Sequence, residues 1–322
     1  MMRHYLLFSL AYLACAVALV FALREQPGVL LQGAVQTSLY LLRSFAEWMP
    51  ILGVFLAGSL FLTRKFGIKE RILPTLYALL GCLAFSMAFS LVKTSIPYIQ
   101  PFYADPLFAD LDRALHFGVD PWRITHAIAA YVPPAAIVIL YFMVWFLPAV
   151  FLPVFIALTD TDKDRSKRFM ILYVGSWIGL GNLLAVVGSS AGPVYYDRLL
   201  GTARFSDLTI ALESSGISAS ALGRVQENLW QFYSEGGQSL GSGISAFPSV
   251  HVGLAAVTLL YLWERSRLLA PFGVVFAVMI LFSSVYHGWH YAVDGYVSIA
   301  VVTVLWAALR RRNVAIATYI PA

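Results

Sequence analysis

About eight apolar runs constrain this chain more than any other feature of it. They lie at roughly 5–23, 45–63, 72–92, 133–157, 169–189, 248–263, 269–286 and 291–309. A bilayer core of about 30 Å takes about 20 residues of helix to cross. Hydrocarbon offers no water to backbone N–H and C=O groups, so each run has to satisfy its own as a helix. With 322 residues, 60% of them hydrophobic and 12% charged, the chain reads as all-α: a polytopic transmembrane helical bundle of about eight spans. Cys15 and Cys82 fall inside apolar runs and read as small core residues, not as a disulfide or a metal site. The formal charge of +5 is spread over loops, which reflects membrane topology and not a nucleic-acid partner. Arg3 ahead of the first run and Ala16-Val17-Ala18 within it have the outline of a signal peptide; a retained span is the preferred reading.

Orientation follows from the basic residues, which concentrate on the cytoplasmic side of a membrane. With the N-terminus inside, most of the 22 Lys and Arg fall in short inner segments: Arg3; Arg64, Lys65, Lys69 and Arg71; Lys163, Arg165, Lys167 and Arg168; Arg265 and Arg267; Arg310, Arg311 and Arg312. The others are diluted over longer outer loops. That assignment puts Lys93, the loops 97–132 and 190–247, His251, His287, His290 and Asp294 at the outer face. Every candidate catalytic group therefore lands on one side, although no histidine entered the assignment. The expected location is an integral membrane protein of the cell's inner or plasma membrane, with its site on the extracytoplasmic face.

The outer loops carry structure of their own. Residues 103–123 are too polar to span and read as a short amphipathic surface helix followed by a turn at Gly118 and Asp120-Pro121. Asp105, Asp110 and Asp112 within it match no calcium loop, so solvated or capping roles are expected of them. In the loop 190–247, helical periodicity over Leu208–Tyr233 predicts a helical cap. Its glycine-rich exit, Gly236-Gly237 and Gly241-Ser242-Gly243, reads as a flexible lead into the next span and fits no phosphate loop. No repeat, low-complexity segment or soluble domain interrupts the pattern. Residues 1–71 are read as N-terminal spans, and residues 72–322, including the loop 190–247, as the membrane domain that carries the chemistry.

Two short stretches hold that chemistry. His290 and Asp294 are four residues apart, which in a helix places both on one face, the carboxylate orienting the imidazole and stabilising its charge. Upstream, Ala246-Phe247-Pro248-Ser249-Val250-His251 sets a second histidine beside a serine at the head of an apolar run. A single histidine near the end of an apolar helix is usually a packed or interfacial residue. Ionisable groups at membrane depth are costly, and a combination of them points to function.

At these residues the sequence resembles the type 2 phosphatidic acid phosphatase superfamily, whose members share three short motifs. Pro248-Ser249-Val250-His251 matches the second motif, with Val250 in place of glycine; Ser283, His290 and Asp294 match the third, with Ser284 in place of arginine. Lys93 followed by Gln100-Pro101 matches the first, with Gln100 in place of arginine. The stretches around Gly192-Pro193-Val194-Tyr195, His290-Tyr291 and Asp112 to Pro121 look like the inositol phosphorylceramide synthase branch. The resemblance runs roughly from Lys93 to Leu309. It implies a six-helix phosphatase-type core, His290 as nucleophile, Asp294 as its orienting group and His251 as general acid. It implies no metal and no other cofactor. Phosphate-binding groups are expected from Lys93, Gln100, Ser249, Ser284, Arg198 and His287, with Arg123 a further candidate for the missing positive charge.

The implied activity is transfer of a phosphoryl-linked head group to a lipid alcohol through a phosphohistidine, with membrane lipids as substrates. The alternative within the same chemistry is a lipid phosphate phosphatase acting on phosphatidate or a polyprenyl phosphate. A lipid transporter would also carry ionisable residues, but the inner halves of the spans are nearly free of charge and no paired broken helices are visible. A scaffold with a dead site leaves the register of Lys, His and Asp unexplained.

Overall fold

The computed structural model describes residues 1–33, 35–36, 68–235 and 243–319. Among them every regular element is helical, and no strand occurs. Helices α1 (Met2–Leu23) and α2 (Ile68–Ile99) come first, with a short helical stretch over residues 27–33 after α1. Two short helices, α3 (Asp105–Leu115) and α4 (Pro121–Ala129), lead into α5 (Pro134–Thr159) and α6 (Lys163–Val187). Both of the latter contain π-helical segments, Leu140–Val144 and Ser176–Leu184. The cap is α7 (Pro193–Leu200), α8 (Ser206–Ser214) and α9 (Ala221–Ser234). The chain then closes with α10 (Val250–Arg265), α11 (Ala270–Tyr286) and α12 (Ala292–Tyr319).

The expected run at 45–63 lies outside the described residues; each of the other expected spans falls on a helix. Among the described residues, five helices (α1, α2, α5, α6 and α12) are long and apolar enough to cross a membrane. Helices α10 and α11, with 16 and 17 residues, match in length the runs expected at 248–263 and 269–286. Their ends are fixed by local chemistry. Pro248 has no N–H to continue a helix, and the Ser249 hydroxyl caps α10 by accepting from the Val252 N–H at 3.3 Å. At the other junction α11 stops because Gly288 turns the chain with φ +69°. At 1.5 Å per residue α10 covers about 24 Å, less than the hydrocarbon thickness. The start of α10, with His251, lies within electrostatic reach of Lys93 inside α2.

Helices α1 and α2 pack in parallel. Tyr5 donates to Cys82 Sγ at 3.7 Å, Val20 is buried with Leu91, and the Arg24 guanidinium lies 3.9 Å over the Tyr98 ring, so residue numbers rise together along the two helices. Helices α2, α5, α6, α10, α11 and α12 form the body of the bundle around Phe85, Tyr173, Trp177, Leu180, Val252 and Ile280, all buried. The single periodic stretch expected over Leu208–Tyr233 is two helices, because the chain turns at Gly216 and restarts at Ser220, whose hydroxyl caps α9. The expected surface segment is α3, with a turn at Phe117 and Gly118, and the helix that follows continues to Ala129.

The end of the bundle away from His251 is tied by charge. Asp160, between α5 and α6, has a fully buried side chain; Arg165 donates to it at 2.5 and 2.8 Å, and Tyr261 at 3.0 Å. Arg71 reaches the carbonyls of Leu158 and Asp160 at 3.0 and 3.1 Å, and Arg168 pairs with Glu264, which also accepts from the Trp306 indole. Burial raises the Asp160 carboxyl, but the Arg165, Asp162 and Tyr261 donors outweigh it and hold the group below the usual carboxylate range. A depressed folded pKa contributes stability above the unfolded value of about 3.9 and loses it as pH falls through the folded value. Asp160→Asn is therefore expected to lower stability by about 3 kcal/mol at neutral pH. Thermal unfolding of the purified protein in detergent checks this, and the gap between variant and wild type should close below about pH 4.

Candidate active site

The turn between α11 and α12 carries His290. Its backbone N–H donates to the Ser284 carbonyl at 3.3 Å, and Gly192 comes so close to the same turn that a Cβ there would sit 2.4 Å from the Trp289 oxygen. His290 precedes α12, and Asp294 lies in that helix's first turn. The pair therefore does not share a helical face in the way the spacing suggested; it is built at a helix start. Asp294 reaches back so that its Oδ2 accepts from the Tyr291 N–H at 3.0 Å, the reciprocal half of a capping box, and the same oxygen lies 3.3 Å from His290 Nδ1. Asp294 is fully buried, His290 is nearly so, and Asp294 Oδ1 has no partner among the described residues.

Two carboxylates from α3 hold this turn. Asp112 accepts from the N–H groups of Ala292 and Val293 at 2.8 and 2.9 Å, capping α12 from another helix. Asp105 accepts from the N–H groups of Ala191 and Gly192, both at 2.8 Å, and from the Tyr291 hydroxyl at 2.9 Å. Burial raises both carboxyls, while the backbone donors pull them back toward ionisation. The expected capping role is what the geometry gives Asp105 and Asp112. Asp110, by contrast, is exposed and paired with Arg204 at 2.6 Å.

His251 stands in the first turn of α10, and its ring centroid is 6.2 Å from that of His290. Tyr141 and Trp145 of α5 stack on the His251 ring at 4.4 and 3.8 Å, and the Trp145 indole N–H donates to the His251 carbonyl at 2.9 Å. Ser249 caps α10, and its own N–H donates to the Asp294 carbonyl at 3.3 Å, joining the starts of α10 and α12. Lys93 is half-buried in α2, its ammonium within electrostatic reach of both imidazoles, and it has no carboxylate partner among the described residues. His287 is fully buried, edge-on to Tyr141 at 5.3 Å, with neither ring nitrogen partnered among the described residues.

The remaining candidates stand apart or are engaged. Gln100 follows α2, and its carbonyl accepts from the Ser189 hydroxyl at 3.0 Å. Ser284 is fully buried and gives its hydroxyl proton to the Leu281 carbonyl at 2.7 Å. Arg198, on the cap, pairs with Glu227 at 2.7 Å, and Arg123, on α4, pairs with Asp207 at 2.6 Å, all four half-exposed. Sequence reasoning did not single out Tyr141 and Trp145, since aromatic residues in an apolar span carry no signal of a histidine packed against them. It also missed Gln226, whose amide donates to the His287 carbonyl at 2.8 Å.

Fold and site define a helical membrane bundle in which a carboxylate-oriented histidine faces a second histidine. The chain belongs to the PAP2 superfamily, whose family model matches residues 107–308. It is thus an enzyme of the phosphatase and phosphotransferase type, acting on phosphate esters. No curated protein and no solved structure matches the chain.

The capping geometry has a measurable consequence. Asp112→Asn places an amide N–H2 against a backbone N–H and leaves a buried donor unmet, at a cost of about 1–3 kcal/mol. Thermal unfolding should show that loss, and phosphate-ester turnover should fall with it because the same N-terminus carries His290 and Asp294. Asp110→Asn, at an exposed position on the same helix, should change neither.

Proposed function

We propose that the protein is an integral-membrane lipid phosphotransferase that moves a phosphoryl-linked head group from a lipid phosphodiester to a lipid alcohol. The observation that carries this reading is the His290–Asp294 pair set 6.2 Å, ring to ring, from His251. That gap suits one phosphorus centre between a nucleophile and an acid.

With Nδ1–H directed at Asp294, His290 Nε2 carries the lone pair that forms a bond to phosphorus. The bond from phosphorus to the leaving oxygen breaks, and His251 gives that oxygen its proton. Asp294 stabilises the positive phosphohistidine. In the second half, the hydroxyl of the acceptor attacks phosphorus, His251 takes back the proton, and the N–P electron pair returns to His290. Lys93 faces the equatorial oxygens, with Gln100, the Ser249 hydroxyl and the unpartnered His287 ring as neutral donors. Ser284 and Arg198 would first have to leave the Leu281 carbonyl and Glu227.

Charge favours the diester. A phosphomonoester carries about two negative charges at neutral pH and a diester one. In this reading the classical first- and third-motif arginines are replaced by neutral Gln100 and Ser284, while Arg123 and Arg198 are paired with carboxylates. The likeness of the Gly192-Pro193 and His290-Tyr291 stretches to the inositol phosphorylceramide synthase branch points the same way, to a phosphoinositide-type donor. The extracytoplasmic face is supported by the basic cluster of Arg71, Arg165, Arg168 and Arg265 at the opposite end of the bundle.

His290→Ala should abolish turnover, by more than about 10³-fold, with unchanged membrane insertion, and Asp294→Asn should be severe but smaller. Wild-type activity in the His290 variant would end the assignment. The donor is tested by comparing phosphatidic acid or a polyprenyl phosphate with a phosphoinositide, each with and without an acceptor alcohol. Transfer from the diester is expected, and Gln100→Arg should shift preference toward monoester hydrolysis. Release of inorganic phosphate from monoesters with no diester turnover under any acceptor would overturn transfer in favour of a lipid phosphate phosphatase.

A further inference from the structure

Arg24 follows the last turn of α1 and is 5% exposed. Its guanidinium lies 3.9 Å over the Tyr98 ring, yet Nε and one terminal nitrogen have no hydrogen-bond partner among the described residues. No carboxylate pairs with it among the described residues, and its neighbour Glu25 is exposed. The surface beneath it is apolar: Val20, Leu30 and Leu91 are fully buried there. Burial lowers the pKa of Arg24 from the ordinary arginine value, the mark of a charge held out of water.

A guanidinium cannot escape this cost by losing its proton. An uncompensated buried charge costs several kcal/mol; Arg165, Arg168, Arg204 and Arg265 each have a carboxylate, and Arg71 is met by the carbonyls of Leu158 and Asp160. Among the described residues Arg24 has no such acceptor. It is also not part of the histidine cluster: Leu91 of α2 faces α1, and Lys93, two residues and about 200° further round the helix, faces away. The unmet donors therefore belong to a separate place, on the flank of α2 where α1 packs. Tyr98, and Phe21 and Val29 within five residues of Arg24 in the chain, are exposed and offer apolar surface suited to acyl chains.

We infer that Arg24 and Tyr98 form a phosphate oxyanion site at the joint ends of α1 and α2, filled by the head-group phosphate of a bilayer phospholipid. The planar guanidinium presents two donors to two phosphate oxygens, and the Tyr98 ring fixes its plane from below. The lipid's chains lie against the exposed faces of α1 and of the following helical stretch. Its role is to complete a helix pair whose polar end is unsatisfied in the protein alone.

The test uses the full chain, delipidated in detergent micelles, as wild type, Arg24→Gln and Arg24→Met. Thermal unfolding is followed against phosphatidylglycerol in one arm and sodium phosphate in the other. Without lipid, Arg24→Met is expected to melt at or above wild type, because it removes an unpaired buried charge and keeps the volume. With phosphatidylglycerol, wild type should gain several degrees, while both variants respond only at lipid concentrations at least tenfold higher. Equal responses of wild type and both variants would overturn the site. Stabilisation of wild type by sodium phosphate, with nothing added by phosphatidylglycerol, would overturn the lipid as occupant and assign the oxyanion to free phosphate. Because the readout is binding and not turnover, the result stands apart from the phosphotransfer reading.

Discussion

The N-terminus of α12 is the joint on which the site depends. A helix start leaves backbone N–H groups without intrahelical partners, and here those of Tyr291, Ala292 and Val293 are met by two buried carboxylates, Asp294 from the helix itself and Asp112 from α3. Hydrogen bonds to a charged acceptor contribute about 1.5–3 kcal/mol each, and the positive end of the helix favours the negative charge that accepts them. Through this joint a surface helix fixes the backbone that carries His290. The carboxylate that orients the imidazole also closes the helix, so its position is set before any substrate is present.

How much of this was legible from residues alone follows from the physics of each part. The spans were, because a bilayer demands length and apolarity that composition displays directly. The meeting of His251, His290 and Asp294 at one end was, because the basic residues fix which ends share a side. The reason His290 meets Asp294 was not. Spacing by four suggests a helical face, whereas the structure makes the contact across a helix start, where backbone N–H groups decide the geometry. The lengths of α10 and α11 were legible to within two residues, because Pro248 and Gly288 bound the apolar runs.

Arginine shows the same limit from the other side. Arg123 and Arg198 stood in sequence as free positive charges on loops facing the site, but in the fold each has an acid from a different segment, Asp207 and Glu227. Those pairings are long-range and leave no trace in local pattern. Arg24 counted in sequence only as one of the basic residues spread over the outer loops, and in the fold it is a buried cation without an acid among the described residues. Charge bookkeeping in a membrane protein therefore has to follow pairing and burial, not the count in each loop. Around His251 and His290 the count leaves Lys93, whose reach is greater in a dry, aromatic-lined site than it would be in water.

The cap belongs to this frame. Gln226 of α9 donates to the His287 carbonyl, Tyr195 of α7 donates to the Gln226 carbonyl at 2.9 Å, and the Val194 N–H donates to the Gly288 carbonyl at 2.9 Å. These bonds fasten α7 and α9 to the turn that bears His290. Lifting the cap as a loose lid would break each of them and strip the turn of its outer support. The helices of the loop 190–247 are better understood as the upper wall of the site: they hold residues 287–289 from one side while Asp105 and Asp112 hold residues 291–293 from the other. His290 sits between the two sets of bonds, which leaves its side chain oriented by Asp294 and its backbone with little freedom to move.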